Sequence, residues 1–381
     1  MIAGRSKSGS VLVHFAVLAL VVLWTAPTAG LLISSLRDKD LLSVSGWWTA
    51  LTATEHSQVG RAAPPEEQEQ VDGGYRIAGN LFEGEAAGNI RAFGVRIQNP
   101  SEFPAGETAE LPNGGTLKVQ ADGSYEMISE TPFEGARGQR IFYIAALPPK
   151  FTLDNYREVL TSAGIAQSFI NSLTVTIPAT VIPVLIAAYA AYALAWMKFP
   201  GRAVLLSLVV GLLVVPLQMS LIPLLRLYND VGLFFGVPAK TYLGIWLAHT
   251  GFGLPLAIYL LRNYMAGLPR EIMESAKVDG ASDFDIFLKI VLPLSLPALA
   301  SFAIFQFLWV WNDLLVAMVF LGAQNDQLVL TGRLVNLLGS RGGNWEILTA
   351  SAFITIVVPL IVFFSLQRFL VRGLLAGSVK G

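Results

Sequence analysis

The sequence predicts an all-α polytopic membrane protein with about six transmembrane helices and a small β-rich insertion between helices 1 and 2. Three observations predict it. Of 381 residues, 54% are hydrophobic and only 14% charged, against roughly 25% charged in an average soluble domain. Six runs, at about 11–36, 169–197, 203–227, 242–261, 296–322 and 347–370, reach the roughly 20 mainly apolar residues that a spanning helix needs. Between the first two runs, residues 38–150 hold 16 of the chain's 27 acidic residues against nine Lys and Arg. That composition suits water, not lipid. The chain thus divides into 1–37 (N-terminus and helix 1), 38–150 (the insertion) and 151–381 (the core).

The first run follows Arg5 and Lys7, as a signal peptide would. Its apolar stretch is longer than a signal core and continues through Leu31, Leu32 and Ile33 with no small-residue cleavage site, so it reads as an uncleaved span. In the insertion, 55–74 includes Pro64-Pro65-Glu66-Glu67-Gln68-Glu69-Gln70 and reads as a mobile polar segment. Residues 75–147 read as strands. Phe93, Val95 and Ile97 alternate with polar or small neighbours. Leu117 to Met127, with Asp122-Gly123 at the centre, reads as a hairpin. The insertion is either an elaborated loop or a contact surface for a partner.

Basic residues set the orientation. Arg5, Lys7, Lys198, Arg202, Arg262, Arg270, Lys277, Lys289, Arg368, Arg372 and Lys380 all fall on one side of a six-span chain. The opposite link, 228–241, has only Asp230 and Lys240. Both termini and the segment 263–294 are therefore expected in the cytoplasm, and the insertion outside. Pro178, Pro183, Pro216, Pro223, Pro255 and Pro359 lie in or beside the spans. Each removes a helix donor. They belong either to ordinary membrane packing or to bendable helices around a pathway.

The segment 263–294 has its own punctuation. Pro269 suits a first helical turn. Ile272, Met273 and Ala276 form one apolar side, and Arg270 and Glu274 are spaced to pair. Gly280 stops the helix. Ser282 reads as the cap of a second helix, with Asp283 and Asp285 at its positive end. Phe284, Phe287, Leu288 and Val291 recur at helical spacing, and Pro293 and Pro297 end this helix and open span five. By residue pattern alone this is either a pair of helices lying on lipid or a surface shown to a soluble partner.

The residues Glu274, Ala276, Asp279, Gly280, Ala281, Ile290, Leu292 and Pro293 resemble the EAA loop of bacterial ABC importer permeases, with Ser275 where that family usually has Ala. Residues 171–202, Trp309-Val-Trp-Asn-Asp313 and the tail 367–381 are similar to carbohydrate permeases of the maltose type, and the large outer loop is similar to that of the α-glucoside type. The resemblance implies a type I ABC importer fold in the bacterial cytoplasmic (inner) membrane. It implies a second permease subunit, an ATP-binding subunit working as a dimer, an extracytoplasmic solute-binding protein and a carbohydrate substrate. It assigns ATPase coupling to Glu274, Ala276, Asp279, Gly280 and Ala281, contact of the tail (368–381) with the ATPase to Gly377 and Lys380, and contact with the binding protein to Gly339, Gly342 and Gly343.

Asp313 is the one acidic residue well inside an expected span. With Trp309 and Asn312 it is either a carbohydrate-facing pathway group or a polar contact between helices. No G-x-x-x-x-G-K-[ST] loop occurs, so ATP hydrolysis is expected in another chain and this one is not an enzyme. No cofactor is expected. A net charge of −1 gives no nucleic-acid footprint, and the absence of cysteine excludes disulfides and thiolate metal sites. His14, His56 and His249 lie far apart without metal-ligand spacing, and His14 and His249 read as packing or hydrogen-bonding residues. An ion-coupled transporter would need more intramembrane charge, a membrane enzyme a nucleophile or metal set, and a receptor or scaffold would leave the 263–294 segment unexplained.

Overall fold

Alternating burial, not a long apolar run, organises the chain between residues 54 and 147. The computed structural model describes residues 7–42, 45–71, 73–82, 88–112, 114–135, 137–162, 164–340 and 344–376. It divides into Met1–Asn155 with Asn344–Ala350, and Tyr156–Gly343 with Ser351–Gly381.

In the first unit, α1 (Lys7–Ser35) and the short α2 (Lys39–Leu42) precede the strands. These are β1 (Thr54–Arg61), β2 (Glu69–Val71), β3 (Gly74–Asn80), β4 (Asn89–Gly94), β5 (Phe103–Pro104), β6 (Thr108–Glu110), β7 (Thr116–Val119), β8 (Ser124–Ser129) and β9 (Arg140–Leu147). They form two antiparallel sheets, ordered β1-β9-β4-β5 and β2-β3-β8-β7-β6. Ile90, Phe93, Ile141 and Tyr143 of one sheet share a core with Ile77, Leu117, Val119, Tyr125 and Met127 of the other. Burying each such apolar side chain contributes about 1.5–3 kcal/mol, enough in sum to make this a real β core. The all-α class therefore holds only outside this region.

Three expectations here need correction. Residues 55–74 are not a mobile run, because β1 pairs along its whole length with β9 and Pro65 is buried. The alternation beyond Phe93 is not strand: β4 ends at Gly94, where a Cβ would meet the Asn99 carbonyl, and Ile97 is 67% exposed. The 117–127 hairpin is present, and Leu117 faces Met127. Its turn is one residue longer than the two-residue type, with Gln120 N–H bonded to the Ser124 carbonyl and Gly123 at φ 86°.

A clasp closes this insertion at its neck. Arg37 and Phe151 form an antiparallel bridge. Asn155 Nδ2 donates to the Ser35 and Arg37 carbonyls at 3.0 and 2.8 Å. The buried Arg37 guanidinium donates to the carbonyls of Leu41, Ser45 and Gly46.

Helix α3 (Asp154–Ser162) leads into the second unit, which is helical: α4 (Ile165–Trp196), α5 (Arg202–Leu212), α6 (Leu217–Phe235), α7 (Tyr242–Ala266), α8 (Arg270–Val278), α9 (Asp283–Ile286), a π turn over Phe287–Val291, α10 (Leu292–Leu294), α11 (Leu296–Trp311), α12 (Leu315–Phe320), α13 (Leu330–Ser340) and α14 (Trp345–Ala376). Four helices (α1, α4, α7 and α14) are long and apolar enough to cross a membrane by themselves, and up to six spans result if each of two bent pairs counts as one. The expected third span is not one helix. It bends by 108° between α5 and α6, where Pro216 drives Val215 away from helical geometry and begins α6. The expected fifth span opens with a 70° bend before α11, at Ser295 between Pro293 and Pro297. It also stops at Trp311, and Asn312 to Leu314 separate α11 from α12.

Three of the interior prolines meet the same response. Pro178 and Pro183 of α4 deprive the carbonyls of Thr174 and Ala179 of their helical donors, and Pro359 of α14 does so to Thr355. Trp246 Nε1 of α7 donates to the Thr174 carbonyl at 2.8 Å, Gln306 Nε2 of α11 to Ala179 at 3.1 Å, and Trp311 Nε1 of α11 to Thr355 at 3.0 Å. An interhelical hydrogen bond in a membrane protein is worth on average ~0.6 kcal/mol. Each therefore offsets only part of the ~3 kcal/mol that an interior proline costs.

Candidate functional site

The segment from Pro269 to Ser295 is built by its caps. Pro269 is the residue before the first turn of α8, one position earlier than its chemistry suggested. At the other end, Ala281 N–H bonds to the Ala276 carbonyl at 3.0 Å and Gly280 N–H to the Lys277 carbonyl at 3.1 Å. With Gly280 at φ 80°, this pair of bonds is a Schellman motif. The Ser282 hydroxyl oxygen accepts from Asp285 N–H at 3.1 Å and starts α9. Lys277 pairs with Asp283 at 3.2 Å across the turn, and Lys289 with Asp285 at 2.6 Å. The hydrogen bonds from Lys289 and then Ser282 hold the Asp285 carboxyl below its usual range. Arg270 and Glu274, spaced to pair, form no ion pair among the described residues.

The inner side of this segment is seated on the ends of α4 and α7. Met273, Ile286, Phe287 and Val291 share a buried cluster with Ala187, Ala188, Ala191 and Tyr192 of α4 and Ala257, Leu261 and Met265 of α7. The rings of Tyr189 and Tyr192 lie 4.5 and 5.3 Å from that of Phe287. Trp196 Nε1 donates to the Met265 carbonyl at 3.0 Å. The small alanines of α4 are what let the segment approach this closely.

Of the five residues that the resemblance assigns to coupling, Glu274, Asp279 and Gly280 lie on the free side, while Ala276 and Ala281 are half-buried against the seat. The apolar period is only partly right. Phe287 and Val291 face inward with Ile286, but Phe284 is 59% exposed and Leu288 also faces out, so the covered face is centred on Ile286-Phe287 and not on Phe284. Val278, at 87% exposure the most open apolar residue of the segment, escaped the sequence reading. Its signal was an apolar residue off the inner face, directly before Asp279-Gly280.

Trp309, Asn312 and Asp313 do not form one surface. Asp313 sits at the break after α11, where its Oδ2 accepts from Ala317 N–H at 3.1 Å and its carbonyl accepts from the Thr331 hydroxyl at 3.0 Å. It therefore caps α12. It lines a small internal pocket with Ser172, Thr176 and His249, and His249 Nε2 is 3.9 Å from Oδ2. Asn312 Nδ2 returns to the Leu308 carbonyl of its own helix at 2.8 Å, and Trp309 faces out at 43% exposure. Sequence reasoning took Trp309 from this motif. The buried tryptophan is Trp311, stacked on Phe307 with ring centres 5.8 Å apart. Gly339 lies in the last turn of α13, not in a loop. Gly342, Gly343, Gly377 and Lys380 lie outside the described residues.

The sequence pattern of the family described as "Binding-protein-dependent transport system inner membrane component" matches residues 168–375. This chain belongs to that family. The inner membrane component is 75% identical over 369 residues to the alpha-glucoside transport system permease protein AglG of Rhizobium meliloti, covering 97% of each chain. It is 62% identical over 231 residues to the osmoprotective compounds uptake permease protein GgtD of Synechocystis, covering 61% of this chain and 76% of that protein. A crystal structure of a bacterial ABC transporter involved in the import of the acidic polysaccharide alginate matches at 24% identity and a TM-score of 0.49, covering 59% of this chain and 82% of that chain. As an inner membrane component, the chain is a transport subunit and not an enzyme, and the ATPase is a separate subunit.

Proposed function

We propose that this chain is the membrane-spanning permease subunit of an ATP-driven importer of α-glucosides or related oligosaccharides, forming half of the translocation pathway beside a second permease subunit. The observation that carries the substrate class is the 75% identity to an α-glucoside permease across 97% of both chains. A likeness of that extent includes the β insertion as well as the core. The identity to a permease for osmoprotective compounds covers 61% of this chain and favours a second reading, in which the same core serves an osmoprotective solute.

In this reading the outer side of α8 and α9 docks on a dimeric ATP-binding subunit. Val278 and Phe284 supply apolar contact, and Glu274, Asp279 and Gly280 the surface around it. The basic residues of both termini and of the coupling segment support a cytoplasmic position for these, with the insertion facing the solute-binding protein outside. Uptake of radiolabelled maltose, trehalose and sucrose by cells lacking the chromosomal copy tests the reading. Complementation restores ATP-dependent uptake of at least one α-glucoside. No α-glucoside uptake, with restored growth under osmotic stress, favours the second reading. Uptake that persists after ATP depletion sinks both.

A further inference from the structure

Three proline-freed carbonyls in three places of the helical unit each receive a side-chain donor from a neighbouring helix. We propose that Trp246, Gln306 and Trp311 are positioning residues for transport: each replaces the donor that Pro178, Pro183 or Pro359 withholds, so that α4, α7, α11 and α14 move as one rigid body with the coupling segment.

The acceptors fall at the positions that proline chemistry dictates. Thr174, Ala179 and Thr355 each stand four residues before a proline, and the donors reach them at 2.8, 3.1 and 3.0 Å. The donors are set for this contact. Gln306 is 1% exposed, and its second bond, at 3.4 Å, goes to the His249 carbonyl of α7, so one amide ties α4, α7 and α11. Its place depends on Gly253 of α7, where a Cβ would lie 2.7 Å from Gln306 Oε1. Trp311 is 2% exposed and held between Phe307 and Phe169. By contrast, Pro255 of α7 and Pro223 of α6 would free the carbonyls of Gly251 and Met219, and among the described residues neither receives a side-chain donor.

Location gives the contacts a mechanical meaning. The coupling segment grips α4 at Ala187 to Tyr192. A second buried cluster, with Val175 and Ala179 of α4, Ile245 and Ala248 of α7, and Val310 and Val316, lies further along the same helices. Pro178 and Pro183 fall beside or between the two clusters. Unsupported, they would let α4 flex and absorb a displacement applied at the coupling end. Supported by Trp246 and Gln306, α4 transmits it.

Restoring the withheld donor tests this directly. In the intact complex in vesicles, Gln306→Leu should lower solute uptake by at least about threefold, the fold-change of an average interhelical hydrogen bond. ATP hydrolysis should continue, so the ATP consumed per solute should rise, and amide exchange around residues 183–187 should quicken. Adding Pro183→Ala gives Ala179 its own helical donor and should return all three readouts toward wild type. A role in fold stability alone would lower the amount of complex without changing the ATP-to-solute ratio. Wild-type uptake of the chosen α-glucoside separates a failure of this inference from a failure of the proposed substrate. Unchanged coupling in Gln306→Leu, or a Pro183→Ala change that rescues nothing, overturns the inference. If Gln306→Leu does not assemble, Trp246→Phe with and without Pro178→Ala makes the same test, and absence of rescue there overturns it equally.

Discussion

Gly280 can be replaced so that only its backbone preference changes. It stands at φ 80°, and a Cβ there would meet nothing within 4 Å. Gly280→Ala therefore introduces no clash, only the cost of a left-handed conformation, roughly 1–2 kcal/mol for an ordinary residue. That cost acts on the Schellman turn that fixes the angle between α8 and α9. At about 1–2 kcal/mol, the population of the correct turn relative to open alternatives falls about 5- to 30-fold. Asn tolerates this conformation better than Ala, while proline cannot reach it, since its ring holds φ near −65°. Solute-stimulated ATPase activity of the reconstituted complex, and ATPase subunit retained on the tagged permease, should follow the order Gly, Asn, Ala, Pro. Equal behaviour of Asn and Ala, or normal coupling in Gly280→Pro, would refute the claim that turn geometry sets docking.

Val278→Asp and Phe284→Asp should each reduce co-purification of the ATPase subunit without reducing membrane insertion, because both side chains are exposed and support no internal packing; fractionation and pull-down check this. Asp313→Asn keeps a capping side chain and should retain transport, whereas Asp313→Leu leaves the start of α12 uncapped and should destabilise the complex by about 0.5–2 kcal/mol, measured as loss of thermal stability in detergent. In the hairpin, the Ser124 hydroxyl and N–H hold the Asp122 carboxyl below its usual range. A depressed carboxyl stabilises the fold above its unfolded pKa of about 3.9 and loses that contribution as pH falls through the lower folded value. The stability gap between wild type and Asp122→Asn should be present at neutral pH and close below about pH 4, as followed by tryptophan fluorescence.

The spans were legible because twenty apolar residues in a row have few other uses. Their bends were not, because a proline reports a lost donor but not whether a neighbour supplies another: Pro183 stays within α4 under Gln306, while Pro216 marks a 108° turn. Gly280 and Ser282 were readable as caps since their chemistry is local. The roles of Phe284 and Phe287 were harder to tell apart, because both fit the apolar spacing and only the seat on α4 and α7 decides which is covered. Strand β1 stayed hidden for a similar reason. Thr-Glu-His-Ser-Gln-Val-Gly-Arg has little strand character alone and is held by its partner β9. The break between α11 and α12 that Asp313 caps also stayed hidden, because the residues on both sides of Asn312-Asp313 are apolar enough to read as one span.

The clasp at the base of the β insertion also bears on how such a chain could have been assembled. The incoming and outgoing chain meet at the Arg37–Phe151 bridge. Everything between them hangs from a single doorway, so a gene segment encoding it could be spliced in or cut out in one event.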